Sequence, residues 1–200
     1  EDALKGADMI FIACGLGGGT GTGAAPVVAE IARNMGALVV AVATKPFSFE
    51  GLERQKIADK GEALLKDKVD ALLIVKNDKL LEILDPATPV LNAFWMCDEI
   101  LRQAVQGITD LIFLPGLINV DFADVKSILK NSGTVLFGIG KAKGEKRAEM
   151  AALSAINSPL LNISLKGAKG VLFNVSGGKD ISLSEIDESA RVITKEASPE

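Results

Sequence analysis

Residues 9–26 read MIFIACGLGGGTGTGAAP, and the reading of this stretch decides the fold. Its first six residues are apolar without alternation, as in a strand buried on both faces. Six of the twelve residues from Gly15 to Pro26 are glycine. Ordering glycine costs backbone entropy, so it concentrates where the chain takes positive φ or lets something approach closely. A buried strand that passes through such a loop into a helix makes an anion site. The loop amides and the helix N-terminus both present positive partial charge there. Thr20 and Thr22 add hydroxyls.

Working outward, residues 24–35 carry a helical apolar pattern that stops at Gly36. Residues 37–44 (ALVVAVAT) read as a second buried strand, which KPFSFEG breaks. Residues 53–68 are polar and helical in pattern, and 69–75 (VDALLIV) form a third strand. Apolar strands alternating with helices predict a parallel sheet covered on both faces. The loops GLGGGTGTG, KPFSFEG and KNDKL then leave the carboxyl ends of three strands and line one edge, where α/β sheets bind ligands.

Farther on, residues 93–113 carry apolar side chains at spacings of three and four, a long helix ended by Pro115 and Gly116. After LINVDFADV a short helix runs to about Lys130, residues 134–140 and 170–175 read as strands, and 146–156 as a helix. Ser182 and Glu185 have capping-box spacing and open a last helix. The expectation is a Rossmann-like α/β parallel-sheet domain over 1–91 and a central helix over 92–116. A smaller α+β domain follows over 117–200.

Composition narrows the chemistry. A hydrophobic content of 48% supports a packed core, and a formal net charge of −4 argues against nucleic-acid or anionic-membrane binding. No apolar run reaches the length of a membrane span, and no secretory pattern opens the sequence. Cys14 and Cys97 fit neither a disulfide framework nor a metal motif and read as buried free thiols in a reducing cytosol. There is no histidine, which excludes Ser-His-Asp and Cys-His catalysis and histidine-ligated metals. The first residues resemble the tail of a helix entering a strand, so a piece of a longer chain is expected.

The residues alone leave the glycine loop open between readings. The P-loop needs a lysine that is missing here. Gly19, Gly21 and Ala24 match the dinucleotide fingerprint, but the next strand ends Ala43-Thr44-Lys45 without the acid that would hold a ribose. A glycine turn without ligand is the third reading. Asp121 and Asp124 could share one helix face, or be an N-cap and a first-turn acid. Glu50 and Arg54 suit an i,i+4 pair on a solvated face, and Phe94 and Asp98 a core position with a solvent-side neighbour.

Taken in order, GGGTGTGAAP, TKPFSFEG, NDKLL, AVQGITDLI and PGLINVDFADV resemble the FtsZ cell-division GTPases of bacteria, in the tubulin family. The resemblance runs along nearly the whole chain. It implies a GTP-hydrolysing protein, with Mg²⁺, that polymerises head-to-tail into the cytokinetic ring in the cytoplasm at mid-cell. It implies that Gly17, Gly18, Gly19, Thr20 and Gly21 cradle the GTP phosphates. Glu50 and Arg54 would contact the nucleotide, and Asn77, Phe94 and Asp98 would hold sugar and guanine. Asn119, Asp121 and Asp124 would enter the next subunit, where the carboxylates orient the water that attacks the γ-phosphate. The implied partners are further copies of the chain, and divisome and membrane-tether proteins reached through a tail not present in this sequence. The family also has an initial strand and a second glycine-rich loop that are missing here. A dinucleotide-dependent oxidoreductase is the alternative from the residues. A non-hydrolysing tubulin-like scaffold is the alternative within the family, and the intact N-x-D-x-x-D stretch argues against it.

Overall fold

The apolar runs become strands because each finds a parallel neighbour. In the computed structural model, which describes residues 1–82, 84–114, 120–158, 165 and 167–197, β1 (Met9–Gly15), β2 (Leu38–Lys45) and β3 (Ala71–Lys76) pair in sequence order. The register sets Met9 against Leu38 and Val40 against Ala71. Alternate residues point to opposite faces. Ile10, Ile12, Val39, Ala41, Ala43 and Leu72 pack with Ala25, Ala29 and Ala32 of α1 (Thr20–Asn34) and with Ala58 and Leu65 of α2 (Leu52–Lys66). Alanines along α1 let that helix lie close to the sheet. After the short α3 (Asp78–Leu81), α4 (Val90–Phe113) buries Cys97, Ile100 and Ala104 and packs on β2 and β3. Next, α5 (Phe122–Leu129) buries Val125 and Leu129 and packs on β2.

Two boundaries differ from expectation for physical reasons. Helix α1 begins at Thr20, inside the glycine loop, and not at Ala24. Pro26 lacks the donor that a helix interior needs and locally favours a later start. The turn before it forms nevertheless, with the Gly23 N–H donating to the Gly19 carbonyl at 3.0 Å. The strand expected over 134–140 is only β4 (Gly133–Val135), and it joins β3 in parallel, Ala71 opposite Gly133. Residues 170–175 form no strand, because they meet no ladder partner among the described residues.

At the amino edge of the sheet, Asp70 is buried and its Oδ2 accepts the Val39 N–H at 2.9 Å. Its carbonyl accepts the Gly133 N–H at 3.0 Å. Arg33, at the far end of α1, donates to the Asn131 side chain at 2.6 Å and to the Asp67 carbonyl at 3.2 Å. These bonds hold the link between α5 and β4 to the sheet.

The chain divides into compact units of residues 1–135 and 136–200. In the second, α6 (Arg147–Ile156) packs on α7 (Leu183–Ala197). The expected capping box is present: the Glu185 N–H donates to Ser182 Oγ at 3.2 Å, and the Ser182 N–H to Glu185 Oε2 at 2.8 Å. Arg147 clasps Glu185 and Asp180, each at 2.6 Å. The Arg147 guanidinium, followed by the Ser182 N–H, holds Glu185 down from its ordinary 4.5 to about 2. Asp180 is lowered by the same arginine. A carboxylate depressed on folding stabilises above its unfolded pKa and loses that contribution as pH falls through the folded value. Protection of α7 amides from hydrogen exchange should therefore decline as pH falls from about 4.5 towards 2. In Arg147→Gln this pH-dependent part should vanish when each pH is compared with wild type. An unchanged pH profile in the variant would show that the clasp does not hold the unit.

Candidate functional site

The register sets Gly15 beside Thr44 and Lys45 beside Lys76, so three carboxyl ends lie side by side and their loops share one edge. The first loop is anchored by Leu16, which is buried and donates its N–H to the Thr44 carbonyl at 2.9 Å. Gly17 has φ +97°, and a Cβ there would stand 2.8 Å from the Arg54 carbonyl oxygen. A Cβ at Gly21 would overlap the Gly15 carbonyl oxygen. The Gly17 N–H donates to Thr22 Oγ1 at 2.9 Å, so this threonine closes the loop on itself. Gly17 and Gly21 are therefore explained by the fold.

Gly18 and Gly19 are not. Neither has positive φ, and a Cβ at either would meet no atom within 4 Å. Gly19 is the N-cap of α1 and gives it no side-chain cap, while Thr20 is exposed on the first turn. The first amides of a helix have no intrahelical partner and carry the positive end of its dipole. An open hollow bounded by backbone and helix N-terminus results, suited to an anion.

The second loop leans on the first. Arg54, on the first turn of α2, presses its backbone against Gly17. Its Nη1 lies 3.0 Å from Glu50 Oε2, so the expected i,i+4 pair exists, but Glu50 is only 13% exposed while Arg54 is 53%. The other Glu50 oxygen accepts the Phe47 N–H at 2.8 Å, and Glu50 closes the 3-10 turn Ser48–Glu50. Ser48 donates its N–H to Asp78 Oδ1 at 2.8 Å, tying this loop to the third.

The third loop begins at Asn77, which is buried. Its N–H donates to the Lys45 carbonyl at 3.3 Å and its carbonyl accepts the Leu80 N–H at 2.9 Å. Its Oδ1 is buried without a hydrogen-bond partner among the described residues. Such an atom costs about 1–3 kcal/mol unless something satisfies it. Phe94, near the start of α4, meets the Phe47 ring edge-on at 5.4 Å. Asp98 is exposed one turn along. Between them Cys97 is a free thiol pushed up to about 11, chiefly by burial and then by the charges of Asp98 and Glu50, so it is chemically quiet at neutral pH.

Asp121 and Asp124 bond locally, at the start of α5. Asp121 is the N-cap of α5, its Oδ1 accepting the Asp124 N–H at 2.8 Å, and both residues are exposed. Helix α5 leads into β4, which starts beside Ala71 at the amino edge of the sheet. Asn119 lies outside the described residues.

Sequence reasoning placed the KPFSFEG loop on this edge but gave no role to Phe47 within it, nor to Lys45. That lysine bridges Asp59 and, at 2.8 Å, Glu62. With Pro46, Gln55, Asp59, Lys76 and Asp78 it lines a cavity of about 190 Å³ beside the edge. A lysine therefore stands at the end of β2, where a dinucleotide ribose would need an acid. Among the described residues no three carboxylates or thiols could jointly hold a metal ion. No described helix is long and apolar enough to cross a membrane.

The family model for the Tubulin/FtsZ GTPase domain matches residues 1–85, and that for the FtsZ C-terminal domain matches 133–200. The solved structure of an empty FtsZ dimer from M. jannaschii is 48% identical, with a TM-score of 0.92 over 99% of this chain. This chain belongs to the tubulin/FtsZ family. A mutant FtsZ from the same organism matches equally, at 48% identity and a TM-score of 0.92 over 99% of this chain. The chain spans 57% of the length of the first of these structures and 59% of the second. A GDP-bound CetZ1 monomer from Haloferax volcanii matches at 21% identity and a TM-score of 0.73, over 98% of this chain and 59% of that one. At that identity the likeness is one of fold. Within the tubulin/FtsZ frame, the glycine loop, the Glu50–Arg54 pair, Asn77 and Phe94 gather along one edge, and the two carboxylates stand at the start of α5.

Proposed function

We propose that this chain carries part of a GTP-hydrolysing subunit that polymerises head-to-tail into the cytokinetic ring of a dividing cell. The observation that carries the reading is Asn77 Oδ1, buried and unpartnered on the edge that also holds the open glycine hollow. Residues Gly17 to Gly21 would cradle the phosphates, the Gly17 N–H itself being given to Thr22 Oγ1, with Glu50 and Arg54 beside them. Asn77, Phe94 and Asp98 would take the sugar and guanine. The residue types suit this division: glycine admits phosphate closely, and an aromatic face stacks on a base.

Asn119, Asp121 and Asp124 are assigned to the site of the adjacent subunit. In support, Asp121 and Asp124 are both exposed, and repeated head-to-tail contacts generate filaments. In the neighbour's pocket the two carboxylates would orient the attacking water, work that carboxylates can do where no histidine is present. Mg²⁺ binds nucleotide phosphates with few protein ligands and offsets the charge that develops on them. The Thr20 hydroxyl, exposed on the first turn of α1, is a ligand that this chain could offer. The division into a nucleotide domain over 1–91, a core helix over 92–116 and a second domain over 117–200 belongs to the same proposal. So do a cytoplasmic, mid-cell location and recruitment of divisome and membrane-tether proteins.

The test is GTP turnover by the full-length protein as a function of its concentration. A site completed between subunits gives a rate per subunit that rises steeply with concentration until filaments saturate. A rate per subunit independent of concentration sinks the shared-site reading.

A further inference from the structure

We infer that Phe47 is a positioning residue for this site, setting the Phe94 ring and the Glu50 carboxylate together from behind. The inference rests on the reading of the edge as a nucleotide pocket.

Phe47 stands in a loop, where side chains are usually exposed, yet its exposure is 0%. Its ring meets Phe94 at 5.4 Å with the planes at 90°, and stacks on Phe49 at 5.0 Å and 14°. Both are favoured aromatic arrangements. Phe94 is 39% exposed, so one side of its ring is free for a ligand while the other has a fixed backing. The backbone of Phe47 acts in a second direction. Its N–H holds Glu50 Oε1 at 2.8 Å, which leaves Oε2 facing Arg54 at 3.0 Å. One buried residue thus fixes the spacing between a base-stacking ring and the carboxylate–guanidinium pair. Phe47 itself is sealed behind Phe94 and acts only through it.

The experiment uses the full-length protein, with GTP and inorganic tripolyphosphate as probes in calorimetry. Phe47→Leu keeps an apolar side chain in place and removes the ring edge. It should weaken GTP binding roughly 2- to 10-fold, the equivalent of one aromatic pair. Tripolyphosphate, which has no base, should bind as to wild type. In a Phe94→Leu background the Phe47 substitution should have no further effect on GTP, the mark of a residue acting through another. Phe49→Leu, on the exposed side of the stack, serves as the control and should alter GTP binding less than twofold. Equal loss for both ligands, loss for neither, or additive effects of the two substitutions overturn the inference. If Phe47→Leu does not fold, Phe47→Met carries the same cycle. A wild-type protein that binds tripolyphosphate but distinguishes no nucleotide from it overturns the functional reading itself, so the two failures are separable.

Discussion

Replacing Asp121 by alanine in the full-length protein should leave GTP affinity within about twofold while turnover falls on the order of 10²-fold or more. The groups assigned to nucleotide binding lie on the loops after β1, β2 and β3 and at the start of α4, whereas Asp121 opens α5. Alanine also removes the cap bond to the Asp124 N–H, which costs about 1 kcal/mol of helix stability. Asparagine separates the two effects, because it caps nearly as well as aspartate but carries no charge. Asp121→Asn should therefore melt like wild type and still lose turnover. Steady-state phosphate release with parallel nucleotide titrations decides the matter. If Asp121→Asn turns over GTP normally while Asp121→Ala is merely less stable, Asp121 is a cap and nothing more.

The second large effect separates glycines that look alike in sequence. Gly18→Ala should fold at least as well as wild type, since the added methyl meets nothing and alanine narrows the unfolded ensemble by about 0.4–1 kcal/mol. The same methyl would stand in the hollow assigned to phosphate, and GTP affinity should fall on the order of 10- to 100-fold. Gly21→Ala should behave in the opposite order. Its methyl overlaps the Gly15 carbonyl, so loss of stability comes first and loss of binding follows from it. Thermal melts beside calorimetric titrations read both quantities. Wild-type GTP affinity in Gly18→Ala would remove the phosphate hollow from this edge.

The sheet was legible because β1, β2 and β3 are near-continuous apolar runs punctuated by glycine and polar breaks. Their shared edge followed from parallel topology alone. The start of α1 was not legible, since Pro26 argues locally for a later start and only the Gly23–Gly19 bond overrides it. The strands expected over 134–140 and 170–175 show the limit of composition: a strand exists only where a neighbour accepts its ladder. At the site, the chemistry of each loop could be read but not its burial. Glu50 and Arg54 have the spacing of a solvated surface pair, yet the carboxylate is largely covered. Asn77 reads as an ordinary turn residue, and its orphaned oxygen emerges only in three dimensions. Phe47 gave no signal because the ring it meets edge-on, Phe94, comes from α4, far along the chain.

The all-parallel sheet has a kinetic consequence. No strand pair here can zip from a hairpin, so each must close a long loop before any ladder bond forms. The bond from Asp70 to Val39, between β3 and β2, spans 31 residues, whereas Ser132 reaches back to the Asp70 carbonyl over 62. That doubling adds about 0.6 kcal/mol to loop closure. At the end of this longest closure lies β4, with only three residues to repay it. The β4 pairing thus combines the longest closure with the shortest ladder in the sheet. Helix α5 is tied to β4 by the chain but also packs on β2 through its buried face, so Asp121 and Asp124 keep a base on the centre of the sheet while β4 closes late.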